Sequence, residues 1–544
     1  MGTDVDTPTG EPLDAGRAAL SRGDWGAARD HLRAAVAADA SNPAAWEDLA
    51  WAAWWLSDAP TVFDARPRAF RLYRAAGDAG AAARVAAWLA ADFREFRGED
   101  AVGRGWLVRA RRLLDQAPPG PDHGWVAVID GDFALNVDGD ARETERLGSL
   151  AAGLGREHGV ADLEAVGLGL SGIALVLQGE IEAGMRALDE ASAIAAGEEL
   201  EYPVSGAWSL CCVMSACNGI GDFPRAEQWC ATIRAFTERW GGRQLIGLCR
   251  SNYGRILATA GDWDRAEAEL TAAVGDLERS RPGMLAHSLF RLGELRLRQG
   301  RSAEARELFE RAGPAGLLGL AELALDEDDP AGAADTAERV LRHLQAEDRL
   351  SAVPALELLA RARARLGELD AAARAADRLA ETAERIGTPY LRGRARFAAG
   401  EVAAAAAKRD TARQAFEDAV DCLTAGSAIY DAAVARLRLA GALAELGRDQ
   451  PAAAEIAAAE EVLASLGARR DLERAARADA AAVMSARELE VLRLVAQGLS
   501  DPEIAERLVV SPHTVHRHVA NIRTKLRLPS RSAAVAYAAR AGLL

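Results

Sequence analysis

Residues 257–274 read LATAGDWDRAEAELTAAV, a pattern that recurs along most of the chain. Apolar residues recur at helical spacing on either side of a short Gly-Asp-Trp turn, so the segment predicts two helices folded back on each other. The same arrangement returns in LSRGDWGAARDHLRAAVAAD (20–39), NGIGDFPRAEQWCATI (218–233), RQGRSAEARELFERA (298–312), RLGELDAAARAADRLA (365–380) and LAELGRDQPAAAEIAAAE (443–460). Gly179, Gly221, Gly261 and Gly300 follow one another at about 40 residues, and Gly367 to Gly447 is twice that. The interval from Gly300 to Gly367 breaks the period, and DEDDPAGAADTAERVL (326–341) offers a glycine-free turn to fill it. A small alanine follows most turns within a few residues, where it lets two helices approach closely.

These repeats resemble the tetratricopeptide (TPR) family, with a longer period than its usual 34 residues. One helix pair cannot bury its own apolar face, so neighbours stack into a superhelix with a concave side. About twelve hairpins are expected between residues 13 and 467, after a disordered segment at residues 1–12. ARRDLERAARADAAAV (468–483) is expected as a helical connector. Composition agrees with an all-α chain: aromatics are 5% of 544 residues, and strand-forming runs of Val, Ile, Thr and Tyr are nearly absent.

Charge sets the C-terminus apart. Residues 485–544 hold nine Lys/Arg and five Asp/Glu, a net of +4, whereas residues 1–484 hold 56 and 76, a net of −20. A polyanion is repelled by the large part and attracted to the small one. The start, MGTDVDTPTGEPLDAG, has no signal-peptide pattern, and no apolar stretch reads as long enough to span a bilayer. Six scattered cysteines form no disulfide framework, so a reducing cytoplasm is expected.

Local signals agree from Met484 onward. Ser485 with Glu488 and Ser500 with Glu503 form S-x-x-E capping boxes, bracketed by the apolar pairs Met484/Leu489 and Leu499/Ile504. Gly498 suits a left-handed helix end. Ser511 caps a third helix with Pro512 at its first position, and Val510 pairs with Val515. The expectation is helices over 485–497, 501–508 and 512–526, with a last one from about 531. On the third, Val515, Val519, Ile522 and Leu526 share one stripe. His513, Arg517, Ala520, Asn521 and Thr524 face away from it. His516 and Arg523 flank one edge; Thr514, His518 and Lys525 flank the other. A short helix, a turn and a longer helix with a polar, basic outer face make a helix-turn-helix.

SARELEVLRLVAQGLSDPEIAERLVVSPHTVHRHVANIRTKLRLPSRSAAVAYAARAGLL resembles the LuxR-type (LuxR/FixJ) DNA-binding domain over all 60 residues. The matching positions are Arg487-Glu488, Glu490-Val491-Leu492, Gly498, Glu503-Ile504-Ala505, Ser511, Thr514-Val515, His518, Ile522, Lys525-Leu526 and Arg531. The resemblance implies a four-helix domain that reads double-stranded DNA with its third helix and pairs through its fourth, giving a homodimer on DNA. The DNA-facing set is then Ser511, His513, Thr514, His516, Arg517, Ala520, Asn521, Arg523, Thr524 and Lys525. Arg517 is placed to read a guanine edge, with Arg523 and Lys525 at phosphates. This chain departs from the family at His516, where a lysine is common, and at Ala520, where some members carry a basic residue.

Patterns for other chemistry are missing or incomplete in the sequence. The two lysines, Lys408 and Lys525, follow Ala407 and Thr524, so neither belongs to a Walker A loop. Cys211, Cys212, Cys217, Cys230 and Cys249 lack the paired spacing and histidines of a zinc site; they read as small buried hydrophobes, with a thiol sensor as the alternative. Trp46, Trp51, Trp54 and Trp55 read as packing between early repeats, with a ligand groove as the alternative. His513, His516 and His518 do not share a helix face and make no metal site. No catalytic constellation, cofactor or metal is expected. The reading that results is a transcriptional regulator whose repeat array senses a protein, peptide or small effector; the alternative is a TPR scaffold whose terminal helices do not bind DNA.

Overall fold

The computed structural model describes residues 11–197, 200–240, 243–346, 348–472, 484–526 and 528–540. The chain is all-α: no strand occurs among the described residues, and a TPR-like stack of helical hairpins precedes a small four-helix unit. Among the described residues, twenty-four α-helices run from α1 (Glu11–Ser21) to α24 (Asp449–Leu466), each odd-numbered helix folding back on the even one that follows. Of the segment expected as a disordered tail, residues 1–10 lie outside the described residues, while Glu11 and Pro12 open α1. Of the expected connector, residues 473–483 likewise lie outside them.

Each of the twelve hairpins turns on one residue of positive φ. In nine it is glycine, from Gly23 to Gly447; in the others it is Ser57, Asp328 and Ala407. Asp328 (φ 64°) sits in the glycine-free turn that interrupts the sequence period; aspartate tolerates this region better than most residues. The Gly-Asp-Trp signature now has a physical meaning. Gly261 supplies the left-handed turn, and the Asp262 carboxylate accepts from Arg265 N to cap the next helix. Trp263 opens that helix at 3% exposure, and Ala266 is wholly buried against the first helix. Asp24-Trp25-Ala28 and Asp222-Phe223-Ala226 repeat the arrangement.

Successive superhelical turns touch, and the hairpin glycines form part of that seam. Gly179 packs against Arg385, Gly221 against Tyr390, Gly261 against Ile429 and Leu466, and Gly300 against Arg469 and Arg470. Arg385 donates to Glu180 at 2.8 Å across 205 residues of chain, and Thr388 Oγ1 donates to the Ile220 carbonyl at 2.5 Å across 168. At the other end of the array, Arg281 is buried against the first hairpins. It donates to Trp54 O (2.8 Å) and Ser57 Oγ (3.2 Å), pairs with Glu95 (3.3 Å) and stacks 3.8 Å from the Phe96 ring centre.

The tryptophan-rich segment is core. Trp46, Trp51, Trp54 and Trp55 are at most 8% exposed, and Trp55 stacks on Trp25 at 4.5 Å. Beneath Trp51 lies a fully buried ion pair, Arg66 with Asp92 at 2.7 Å. The five clustered cysteines are also buried, and burial pushes the thiols of Cys212 and Cys217 up to about 12, which disfavours the reactive thiolate. One expectation is corrected. Helix α9 (Ala161–Gln178) is long and apolar enough by composition to cross a membrane. It is mostly buried because α8 (Ala141–His158), α10 (Ile181–Ala196) and α11 (Pro203–Ile220) cover it, so its apolarity is that of a core helix.

Candidate nucleic-acid interface

The last four helices are α25 (Ala486–Ala496), α26 (Asp501–Leu508), α27 (Pro512–Lys525) and α28 (Arg531–Arg540). They enclose a core of their own: Met484, Val491, Leu492, Val495, Ile504, Val515, Ile522 and Ala534 are all buried, and every partly buried hydrophobic residue packed on them comes from the same module. Local chemistry fixes the helix starts. Ser485 N donates to Glu488 Oε2 at 2.8 Å, while Glu488 N donates back to Ser485 Oγ at 3.3 Å. Ser500 N and Oγ donate to Glu503 at 2.7 and 2.6 Å. Thr514 N donates to Ser511 Oγ at 3.1 Å, with Pro512 in the first turn where no N–H is missed.

Longer contacts lock the helices together. Lys525 Nζ lies 2.7 Å from Glu488 Oε2 and so ties the end of α27 to the start of α25. Burial opposes charge on that carboxyl, but the donors from Lys525 and Ser485 outweigh it and hold Glu488 below the usual glutamate range. Arg531 pairs with Asp501 and donates to the Leu499 carbonyl at 2.6 Å, fastening α28 to the start of α26. Arg487 donates to Leu508 O at 2.7 Å, placing a cation at the C-terminal end of α26.

These locks present one face of α27 to solvent. Val515, Val519 and Ile522 are buried; Ser511, His513, His516, Arg517, Ala520, Asn521, Thr524 and Lys525 are exposed; Thr514 and Arg523 are half-buried. The helix carries no acidic residue. The exposed set differs in how free it is. Arg517 has no hydrogen-bond or ion-pair partner among the described residues, and neither do His513 and Asn521. His516 Nδ1 stands 3.5 Å from Asp501, at the limit of a contact. Arg523 Nη2 donates to Pro529 O at 2.6 Å, and Lys525 is bound to Glu488. Each of these two cations would have to exchange an internal partner to reach a phosphate.

Three features are not evident in the sequence. Arg507 is an exposed cation in the last turn of α26, beside the interhelical turn, without a partner among the described residues. Nothing in its local spacing marks it. Val509 makes that turn in the left-handed region (φ 54°, ψ 51°) at 91% exposure. A β-branched residue there costs on the order of 1–3 kcal/mol, and the turn is held by Val510 N donating to Ala505 O at 3.0 Å and by the Arg487 clamp. The third is the Lys525–Glu488 bond itself.

Residues 482–538 match the family described as bacterial regulatory proteins, luxR family. The C-terminal module is a LuxR-type helix-turn-helix domain. The LuxR-type module is 48% identical over 62 residues to the oxygen regulatory protein NreC of Staphylococcus aureus, an overlap of 11% of this chain and 29% of that protein. It is 53% identical over 55 residues to a Mycobacterium tuberculosis protein, Rv0890c, whose name places it among HTH-type transcriptional regulators; that overlap is 10% of this chain and 6% of the relative. The chain thus spans less than a third of the length of the curated relatives it matches. The whole chain is similar to a chain in the crystal structure of the APC/C hetero-tetramer Cut9-Hcn1, at TM-score 0.48 and 14% identity over 98% of this chain and 96% of that one. A Rap protein complexed with Competence and Sporulation Factor aligns at TM-score 0.40 and 14% identity, over 71% and 99%.

Proposed function

We propose that residues 484–544 read duplex DNA as a transcription regulator in the cytoplasm, and that the hairpin array of residues 13–467 governs when they do so by binding a protein, peptide or small effector. The observation that carries the DNA reading is Arg517, an exposed, unpartnered guanidinium at the middle of the outer face of α27, whose opposite face is the module core. With α27 in a major groove, Arg517 meets the O6 and N7 of a guanine with two donors. His513, Ala520, Asn521 and Thr524 face neighbouring bases. Ser511, Thr514 and the free N–H groups of the first turn lie toward phosphate oxygens, with His516 beside them. Arg523 and Lys525 join the phosphate contacts only by releasing Pro529 and Glu488.

One module of this size reads a few base pairs, so useful selectivity takes two copies on a two-fold site. The net charge of −20 over residues 1–484 opposes DNA, which makes the full chain the weaker binder until an effector changes how the module is presented. Fluorescence anisotropy on labelled duplexes, comparing residues 470–544 with the full chain, tests both statements. Salt-sensitive, sequence-selective binding by the fragment and weaker binding by the full chain are expected. A fragment that folds yet ignores duplex DNA favours instead an interaction scaffold, in which the array does all the work.

A further inference from the structure

The first helices of successive hairpins leave a cavity of 460 Å³ inside the array, walled by α9, α11, α13 (Arg243–Ala260), α15 (Leu285–Arg298), α19 (Arg349–Arg365) and α21 (Pro389–Ala405). Its volume suits a small organic ligand. Its lining includes the apolar Ile173, Leu177 and Leu248, the basic Arg255, His287, Arg291 and Arg394, and the acidic Asp348. In an array this acidic, such a gathering of cations inside is out of keeping with the whole.

The arginines are not equivalent. Arg291 pairs with Glu294 at 2.7 Å, and Arg394 pairs with Glu357 and donates to the Tyr390 hydroxyl at 2.7 Å. Arg255 has no carboxylate within ion-pair distance and no side-chain hydrogen bond among the described residues. It is nonetheless held in place: one turn away, the Ser251 and Ser288 hydroxyls meet at 2.5 Å and fasten α13 to α15. Burial, with Arg291 nearby, pushes the Arg255 guanidinium down to about 10. Burial and the same two arginines push His287 down to about 3, so it offers a neutral ring N–H. The acidic groups that face these cations are engaged elsewhere. Glu294 and Glu357 hold their arginines, and Asp348 accepts from Ser351 N at the start of α19. Glu294 acts on Arg255 only from beyond ion-pair distance, and a partly buried guanidinium with no carboxylate in contact is costly to maintain unless an anion visits it.

We propose that this cavity binds a monoanionic carboxylate carried on an apolar body, with Arg255 pairing with the carboxylate, His287 donating to it, and the apolar lining residues Ile173, Leu177 and Leu248 receiving the body. Only one of the three guanidiniums lacks an ion-pair partner, and the Asp348 carboxylate also lines the cavity, so a singly charged carboxylate is favoured over a phosphate dianion. The carboxylate belongs to a small free acid or to the C-terminus of an apolar peptide. The proposal deepens the sensing role given above to the array and rests on it only for its biological purpose.

The test is calorimetric titration of the full chain, without DNA, so that its outcome is independent of whether the terminal module reads duplex. The probes are decanoate, decanamide, and a leucine–valine hexapeptide with a free or amidated C-terminus. Each acid is expected to bind at least roughly tenfold tighter than its amide, and Arg255→Gln is expected to abolish that preference while leaving helicity unchanged. Whichever acid binds more tightly names the source. Leu177→Trp, which adds bulk among the apolar lining residues, removes binding of all probes and decides the matter if Arg255→Gln does not fold. Acids that bind no better than their amides, a preference that survives Arg255→Gln, or binding unaffected by Leu177→Trp would each overturn the proposal.

Discussion

Replacing Lys525 by alanine separates a stabilising role from a DNA-contacting one. In the structure its Nζ is one of three donors to Glu488, at 2.7 Å, beside Ser485 N at 2.8 Å and Ser485 Oγ at 2.9 Å. Glu488 is 4% exposed, so its carboxylate depends on those donors. A hydrogen bond to a charged group contributes about 1.5–3 kcal/mol. The Lys525 side chain is 41% exposed, and solvent screening reduces that to about 1–2 kcal/mol. For a domain of this size the loss lowers the melting temperature of residues 470–544 by about 5–15 °C. The pH dependence has a definite sign. Glu488 is held below its unfolded value of about 4.3, so its contribution is present above that pH and lost as pH falls through the folded pKa. The wild-type and Lys525→Ala melting temperatures should therefore converge in acid. At temperatures where both are folded, the salt dependence of DNA binding should be nearly unchanged. A Lys525→Ala protein that melts like the wild type while its log–log salt slope falls by about one would refute this and make Lys525 a phosphate contact.

Arg517→Ala should cost about 1–3 kcal/mol in DNA affinity and relax sequence preference at one base pair in a binding-site selection, with the melting temperature unaltered. Gly221→Ala places a side chain at φ +75° and drives it into Tyr390 of the adjoining superhelical turn; a loss of about 2–4 kcal/mol in denaturant unfolding of the array is expected. Asp92 is pushed up to about 7 by burial despite Arg66 beside it. Its contribution is present at low pH and lost as pH rises from about 4 through 7, so Asp92→Asn should flatten the stability profile of the full chain in that window.

What the sequence made legible is what depends on neighbours in the chain. The capping boxes at Ser485 and Ser500 and the cap at Ser511 join residues three apart, and the buried stripe of Val515, Val519 and Ile522 follows from helical period alone. The same holds for Gly-Asp-Trp, where one residue turns, one caps and one buries. The contacts that shape the array are not of this kind. Arg281 on Trp54, Thr388 on Ile220 and Arg385 on Glu180 join segments 168 to 227 residues apart, and no spacing rule links them. For the same reason Lys525, basic and at the edge of an outward face, read as a phosphate ligand; Glu488, 37 residues earlier, gives it a partner inside the module. The hairpin at Asp328 shows the middle case, a turn located by pattern but made by a residue that pattern does not favour.

The decisive property of the module is whether α27 reads bases. Residues 470–544 carried through selection from a random duplex pool should enrich a short two-fold motif, bind it far more tightly than scrambled duplex at physiological salt, and lose that preference at one position with Arg517→Ala. A folded fragment that enriches nothing, or holds all duplexes equally with and without Arg517, would contradict it.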